Sequence, residues 1–171
     1  KTTEYNNSVS DVTSESNSIA NMIENVSKSV VGISKFQNKS DSIFSGNFAT
    51  QIGTGTGVIV SPNGYILSNS HVTGEKHSSC YVTLENGNTY DAKVVWADVD
   101  LDLSICKING YSLNSVSLGD SDSIKSGNTV YAIGNPIGFE FQRTVTSGIV
   151  SAINRTIKLE EENSVSYMTD L

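Results

Sequence analysis

Long apolar runs are missing from this 171-residue chain, and none approaches the ~18–20 residues that a membrane-spanning helix needs. Basic residues are few. Eleven Lys and Arg stand against 18 Asp and Glu, giving a net charge of −7 and a pI near 4.7. That balance argues against a nucleic-acid partner, which would be held by clustered Lys and Arg. Only two cysteines occur, Cys80 and Cys106, and neither has the CxxC or Cys/His spacing of a metal site. Both sit in apolar strand-like runs and read most simply as small buried thiols, with a disulfide between them left open. No internal repeat of 20–50 residues is visible. An initiator Met is also missing: the chain begins with Lys1 and reads as a mature or excised piece whose signal or anchor segment has been removed. What remains, 37% apolar and 17% charged residues with 14 Gly, is ordinary globular composition.

Residues 1–18, rich in Ser, Thr and Asn, read as a flexible polar leader. Ile19, Met22, Ile23 and Val26 then share one helical face, with Ser18 as the expected N-cap, and a strand follows at Val30–Ile33. Beyond it the apolar period falls to two. Strands are predicted at Gly57–Val60, Tyr65–Ser68, Cys80–Leu84, Thr89–Ala97, Leu103–Ile108, Thr129–Ile133, Arg143–Ile153 and Val165–Thr169. Turn-forming stretches at 61–64, 85–88, 108–110 and 125–128 separate them. Many short strands without a second long helix predict an all-β sandwich or barrel. The polar stretch 109–128 marks a joint between two β units. The expected organisation is a leader (1–18), a helix and first barrel (19–110), a connection (111–128) and a second β unit (129–171).

His71 follows the strand 65–68 in "SNSHVTG", where a rigid scaffold would present a loop side chain. Most histidines do no catalysis, so position alone assigns it nothing. Asp98, Asp100 and Asp102 precede the apolar strand "LSICKI". A carboxylate at the mouth of a core strand is either a solvated turn residue or one held by a partner. An aspartate accepting from a histidine Nδ1–H would fix that ring for proton transfer. Composition does not choose among the three acids.

The order of motifs does. "GTGTGVIVSPNGYILSNSHV" resembles the HtrA/Deg pattern of the trypsin-like serine proteases. "DLDLSICKI" is similar to that family's strand DLAVLKI, which begins with the catalytic aspartate. "VSLGDSDSIKSGNTVYAIGNPIGFEFQRTVTSGIVSAINR" follows its LGDS, GxxVxAIGNPxG and TVTxGIVSAxxR segments in order, and "YMTDL" resembles the approach to the nucleophile. The resemblance runs from about residue 20 to residue 171.

It implies a chymotrypsin-like double β-barrel, its second barrel incomplete, with a short N-terminal helix. It places His71 as general base and Asp102 as the acid that orients it. It implies a serine endopeptidase of unfolded or misfolded polypeptides. No metal or organic cofactor is expected, assembly is into trimers, and the location is the cell envelope or outside it, tethered through the N-terminal side. The nucleophile is not among these residues. The family motif TDAxINxGNSGG places it about eight residues beyond Asp170, and the oxyanion donors lie beside it. Residues 1–171 alone are therefore expected to be inactive.

Ser68, Cys106, Met168 and Leu171 stand where the family usually has Thr, an aliphatic residue, Gln and Ala. "AIGNPIG" lacks the Lys-Ser/Thr of a phosphate-binding loop, so no nucleotide is expected. Residues 154–167 read as a charged loop in the position of the family's regulatory loop. His77 reads as exposed and idle, and "GTGTG" as a place of close backbone packing. The competing reading is a non-catalytic pseudoprotease or peptide-binding β-barrel module.

Overall fold

The computed structural model describes residues 7–37, 50–134, 144–153, 157–161 and 164–168. A helix, α1, spans Asn7–Ser27. It starts well ahead of Ile19, and Ser18 lies inside it instead of capping it. The Ser, Thr and Asn there are mediocre helix formers but not breakers, and no Pro or Gly occurs before Gly32. Of its apolar face, Ile19 and Ile23 are half-buried, while Met22 and Val26 are 43% and 39% exposed.

Six strands follow: β1 (Val30–Gln37), β2 (Thr50–Ser61), β3 (Tyr65–Ser68), β4 (Ser79–Thr83), β5 (Thr89–Asp98) and β6 (Leu103–Ile108). All pair antiparallel in the order β1-β2-β3-β6-β5-β4, and β4 closes back on β1 to make a barrel. Closure removes the open sheet edges. Period-two alternation gives each strand an inner face. Val31 and Ile33, Ile59, Ile66, Cys80 and Val82, Ala92 and Val94, Cys106 and Ile108 form one buried core. Each fully buried Val or Ile contributes about 1.5–3 kcal/mol relative to exposure.

The glycines of "GTGTG" are used for close approach. A Cβ on Gly57 would lie 2.7 Å from Ile66 and 2.8 Å from Ile33, inside the core. One on Gly55 would lie 2.6 Å from Val72, in the turn that carries His71.

The two thiols are 3.7 Å apart in the core, hydrogen-bonded to each other and not joined by a disulfide. They belong to β4 and β6, with β5 between them. Strands are about 4.8 Å apart, so these two backbones are near twice that distance, beyond the roughly 7 Å a disulfide tolerates. The neighbouring Cys80 thiol, together with burial, pushes the Cys106 thiol up.

The chain divides into two compact units, residues 1–117 with 134–144, and 118–133 with 145–171. In the second, β7 (Thr129–Gly134) pairs with β8 (Thr144–Ile149), and β9 (Ile157–Glu161) with β10 (Ser164–Met168). β8 ends before the Ile153 expected of it. Beyond it, Val150 is tied by main-chain bonds to Gly127 and Asn128, just ahead of β7. β9 corrects the reading of 154–167 as a loop, since Ile157 and Leu159 alternate with Lys158 and Glu160 and the charges hid the period. The tips of "AIGNPIG" and "YMTDL", residues 135–138 and 169–171, lie outside the described residues.

Candidate active site

The register of β3 on β6 builds the site. Ser68 pairs with Ser104, so the residues just after β3 and just before β6 meet. After β3 the chain makes one helical turn, α2 (Ser70–Thr73). Thr73 and Ser104 are both fully buried, and their hydroxyls are 2.8 Å apart. Ser104 also donates toward the carbonyls of Ser68 and Asn69, each at 3.2 Å. These hydroxyls satisfy one another where the barrel wall would otherwise strand polar groups. Val72 fills the space left by Gly55. The turn carrying His71 is thus seated on β2 and bolted to β6.

Asp102 faces that turn from the opposite side. Its φ is +51°, a left-handed conformation that Asp adopts more readily than most residues. Four donors converge on its carboxylate. Oδ1 accepts from the His71 main-chain N–H at 3.0 Å and the Ser70 hydroxyl at 2.9 Å. Oδ2 lies 2.7 Å from His71 Nδ1 and accepts from the Asn69 amide at 3.1 Å. The Asp102 carbonyl takes further bonds from Ser70 N–H and the Asn69 side chain. These donors, led by the His71 main-chain N–H, then the His71 ring and the Ser70 hydroxyl, hold the Asp102 carboxyl down at about 2.

An ionised carboxylate only accepts, so Nδ1 carries a proton and the neutral ring keeps its lone pair on Nε2. No described residue hydrogen-bonds Nε2, and the His71 side chain is 71% exposed. The arrangement can take a proton at Nε2 and stabilise the resulting imidazolium through Asp102.

The other acids are elsewhere. Asp98 accepts from Leu101 N–H at 3.0 Å within the β5–β6 turn, and Asp100 is exposed. His77 is exposed, with a φ of +75°. No described serine reaches Nε2, and no group of three or more potential metal ligands occurs among the described residues. Asn69 and Ser70 were not singled out from the sequence. The one available signal was their position immediately before a histidine.

His71, Asp102, Ser70 and Val99 line a cleft of about 640 Å³. Lys35, Gly74, Glu75 and Ser78 line it as well.

A carboxylate-held histidine on the rim of a closed antiparallel barrel is what the chymotrypsin-like peptidases use. Residues 55–171 match the sequence pattern of the Trypsin-like peptidase domain. Serine protease Do-like HtrB of Bacillus subtilis (strain 168) is 40% identical over 176 residues, covering 94% of this chain and 36% of that protein. Serine protease Do-like HtrA of the same organism is 39% identical, covering 85% and 34%. A probable periplasmic serine endoprotease DegP-like of Halomonas elongata is 43% identical over 103 residues, covering 60% of this chain and 21% of that protein. Among solved structures, the HtrA-type protease AlgW with decapeptide superposes with a TM-score of 0.64 at 30% identity, covering 80% of this chain and 46% of that one. The chain belongs to the trypsin-like peptidase family, in its HtrA/Deg branch. It spans about a third of the length of the two Bacillus relatives.

Proposed function

We propose that this chain is the base-bearing part of a serine endopeptidase that cuts unfolded or misfolded polypeptides. The observation that carries the reading is the 2.7 Å contact between His71 Nδ1 and an Asp102 carboxylate already gripped by three other donors. His71 Nε2 takes the proton of the nucleophilic serine as that oxygen attacks the peptide carbonyl. It then gives the proton to the leaving amine, while Asp102 holds the ring and stabilises its charged form. The serine and the oxyanion donors belong to sequence beyond residue 171, so residues 1–171 alone do not hydrolyse peptides.

The similar AlgW structure holds a decapeptide, which supports a polypeptide as the kind of ligand. An envelope location is supported by the DegP-like relatives named as periplasmic. No helix among the described residues is long and apolar enough to cross a membrane. Trimeric assembly would cover the apolar face of α1, where Met22 and Val26 stay exposed in the single chain.

The test is casein hydrolysis by the full-length protein. His71→Ala should abolish cleavage while leaving the circular dichroism spectrum and melting temperature unchanged. Retained cleavage would remove His71 from its role. A residue other than Ser at the GNSGG position would favour the peptide-binding module instead.

A further inference from the structure

The cleft is lined by a cation that has no hydrogen-bond or ion-pair partner among the described residues. Lys35, on β1, is half-buried and lines the same cavity as His71. Its ammonium lies against Gly74, so close that a Cβ there would be 2.6 Å from Nζ. The Ser78 hydroxyl stands 2.8 Å from that same point. Gly74 has a φ of +93°, which already favours glycine, and the missing side chain leaves the ammonium its place. Neither Lys35 Nζ nor Ser78 Oγ has a hydrogen bond or ion pair among the described residues.

A lysine normally extends its head into water, where solvation and side-chain freedom are greatest. Here it lies close to the Ser78 hydroxyl, in the cavity where the chemistry would occur. Glu75 lines the cavity but forms no ion pair with Lys35, and the Asp102 carboxylate is engaged by Asn69, Ser70 and His71. Two donors that both lie against Gly74 and line one cleft can serve the two oxygens of a single carboxylate, and a hydrogen bond from a charged donor is roughly twice as strong as a neutral one.

We propose that Lys35 and Ser78 form a carboxylate-recognition site in the His71 cleft, which selects polypeptides carrying an Asp or Glu side chain near the bond to be cut. The proposal rests on the peptidase reading for the fate of the bound chain, but not for the binding itself. In a protein of net charge −7 this is a local exception to a surface that repels acidic partners.

The experiment uses the full-length protein and C-terminally amidated, internally quenched peptides. Asp or Glu is compared with Asn or Gln at each position around the scissile bond. At one position the acid peptide should be cut about tenfold faster than its amide twin. Lys35→Glu should invert that ratio, Lys35→Arg should keep most of it, and 0.5 M NaCl should shrink it, as for any partly solvated charge pair. A wild-type ratio near one at every position, or a ratio unchanged by Lys35→Glu, overturns the proposal.

The same pairs are measured for binding by fluorescence anisotropy with full-length His71→Ala. If the wild type cuts no peptide but anisotropy shows an acid preference lost in Lys35→Glu, the peptidase reading falls and the site stands. If peptides are cut without regard to charge, the site falls and the peptidase reading stands. A peptide without acidic side chains that binds through a free C-terminal carboxylate, in a Lys35-dependent way, overturns the side-chain assignment.

Discussion

Asp102→Asn is the sharpest perturbation of the site, because the carboxylate has four donors and no spare acceptor. The amide is nearly isosteric but offers one oxygen and one NH2. With its oxygen toward His71 N–H and Ser70 Oγ, its NH2 faces Nδ1 and the Asn69 amide. His71 Nδ1 must then become the acceptor, and its proton moves to Nε2. The ring is left in the tautomer that cannot take a proton from a nucleophile. With the amide reversed, its NH2 confronts the main-chain N–H and the Ser70 hydroxyl, and the turn carrying His71 loses its anchor. Either orientation removes the base, and the loss in kcat expected from the wrong tautomer is about 10⁴-fold. The assay is initial-rate hydrolysis of a fluorogenic peptide by the full-length protein, with a thermal melt of the same sample. A rate within tenfold of wild type, in a folded variant, would refute the assignment and direct attention to Asp98 or Asp100.

The Asp102 carboxyl should titrate by NMR at about 2, against an ordinary value near 3.9. In His71→Ala it should remain below 3.9, because its foremost donor is the main-chain N–H of residue 71, which the substitution keeps. A folded-state value below the unfolded one means a stabilising contribution that is complete above about pH 4 and is lost as pH falls from about 4 to about 2. Acid unfolding that does not change in this window on Asp102→Asn would contradict that sign. Cys80 and Cys106 should be silent to a thiol reagent in the native state and give two equivalents after denaturation. A native disulfide found by mass spectrometry would refute the strand-spacing argument. Ile66→Ala, at a fully buried position, should cost about 2–5 kcal/mol in a denaturant titration. A cost under 1 kcal/mol would mean the core is not closed around it.

The first barrel was legible because its strands alternate and its turns carry Gly, Asn and Pro at the right intervals. Tyr65–Ser68 and Leu103–Ile108 coincide with the strands in the structure. β9 was hidden because Lys158, Glu160 and Glu161 look like a solvated loop until Lys158 and Glu160 are seen to alternate with Ile157 and Leu159. The start of α1 was hidden because Ser- and Asn-rich sequence has weak propensity of either kind. The acid nearest His71 could not be chosen by physics from the sequence alone. Asp98, Asp100 and Asp102 differ only in where the β3–β6 register sets them. Asn69, Ser70 and Lys35 were illegible for a related reason. Their meaning depends on contacts between segments far apart in sequence, made only when the barrel closes.

All four donors to the Asp102 carboxylate come from three consecutive residues, Asn69 to His71, some thirty positions away along the chain. Neither segment holds the geometry on its own, and the zipping of β3 onto β6 is what brings them together. Formation of the base is therefore cooperative with completion of the sheet. A molecule whose barrel has opened has lost its histidine clamp in the same event. If the protein degrades unfolded chains, its own unfolded copies are substrates without being enzymes, and the two populations never overlap in one molecule.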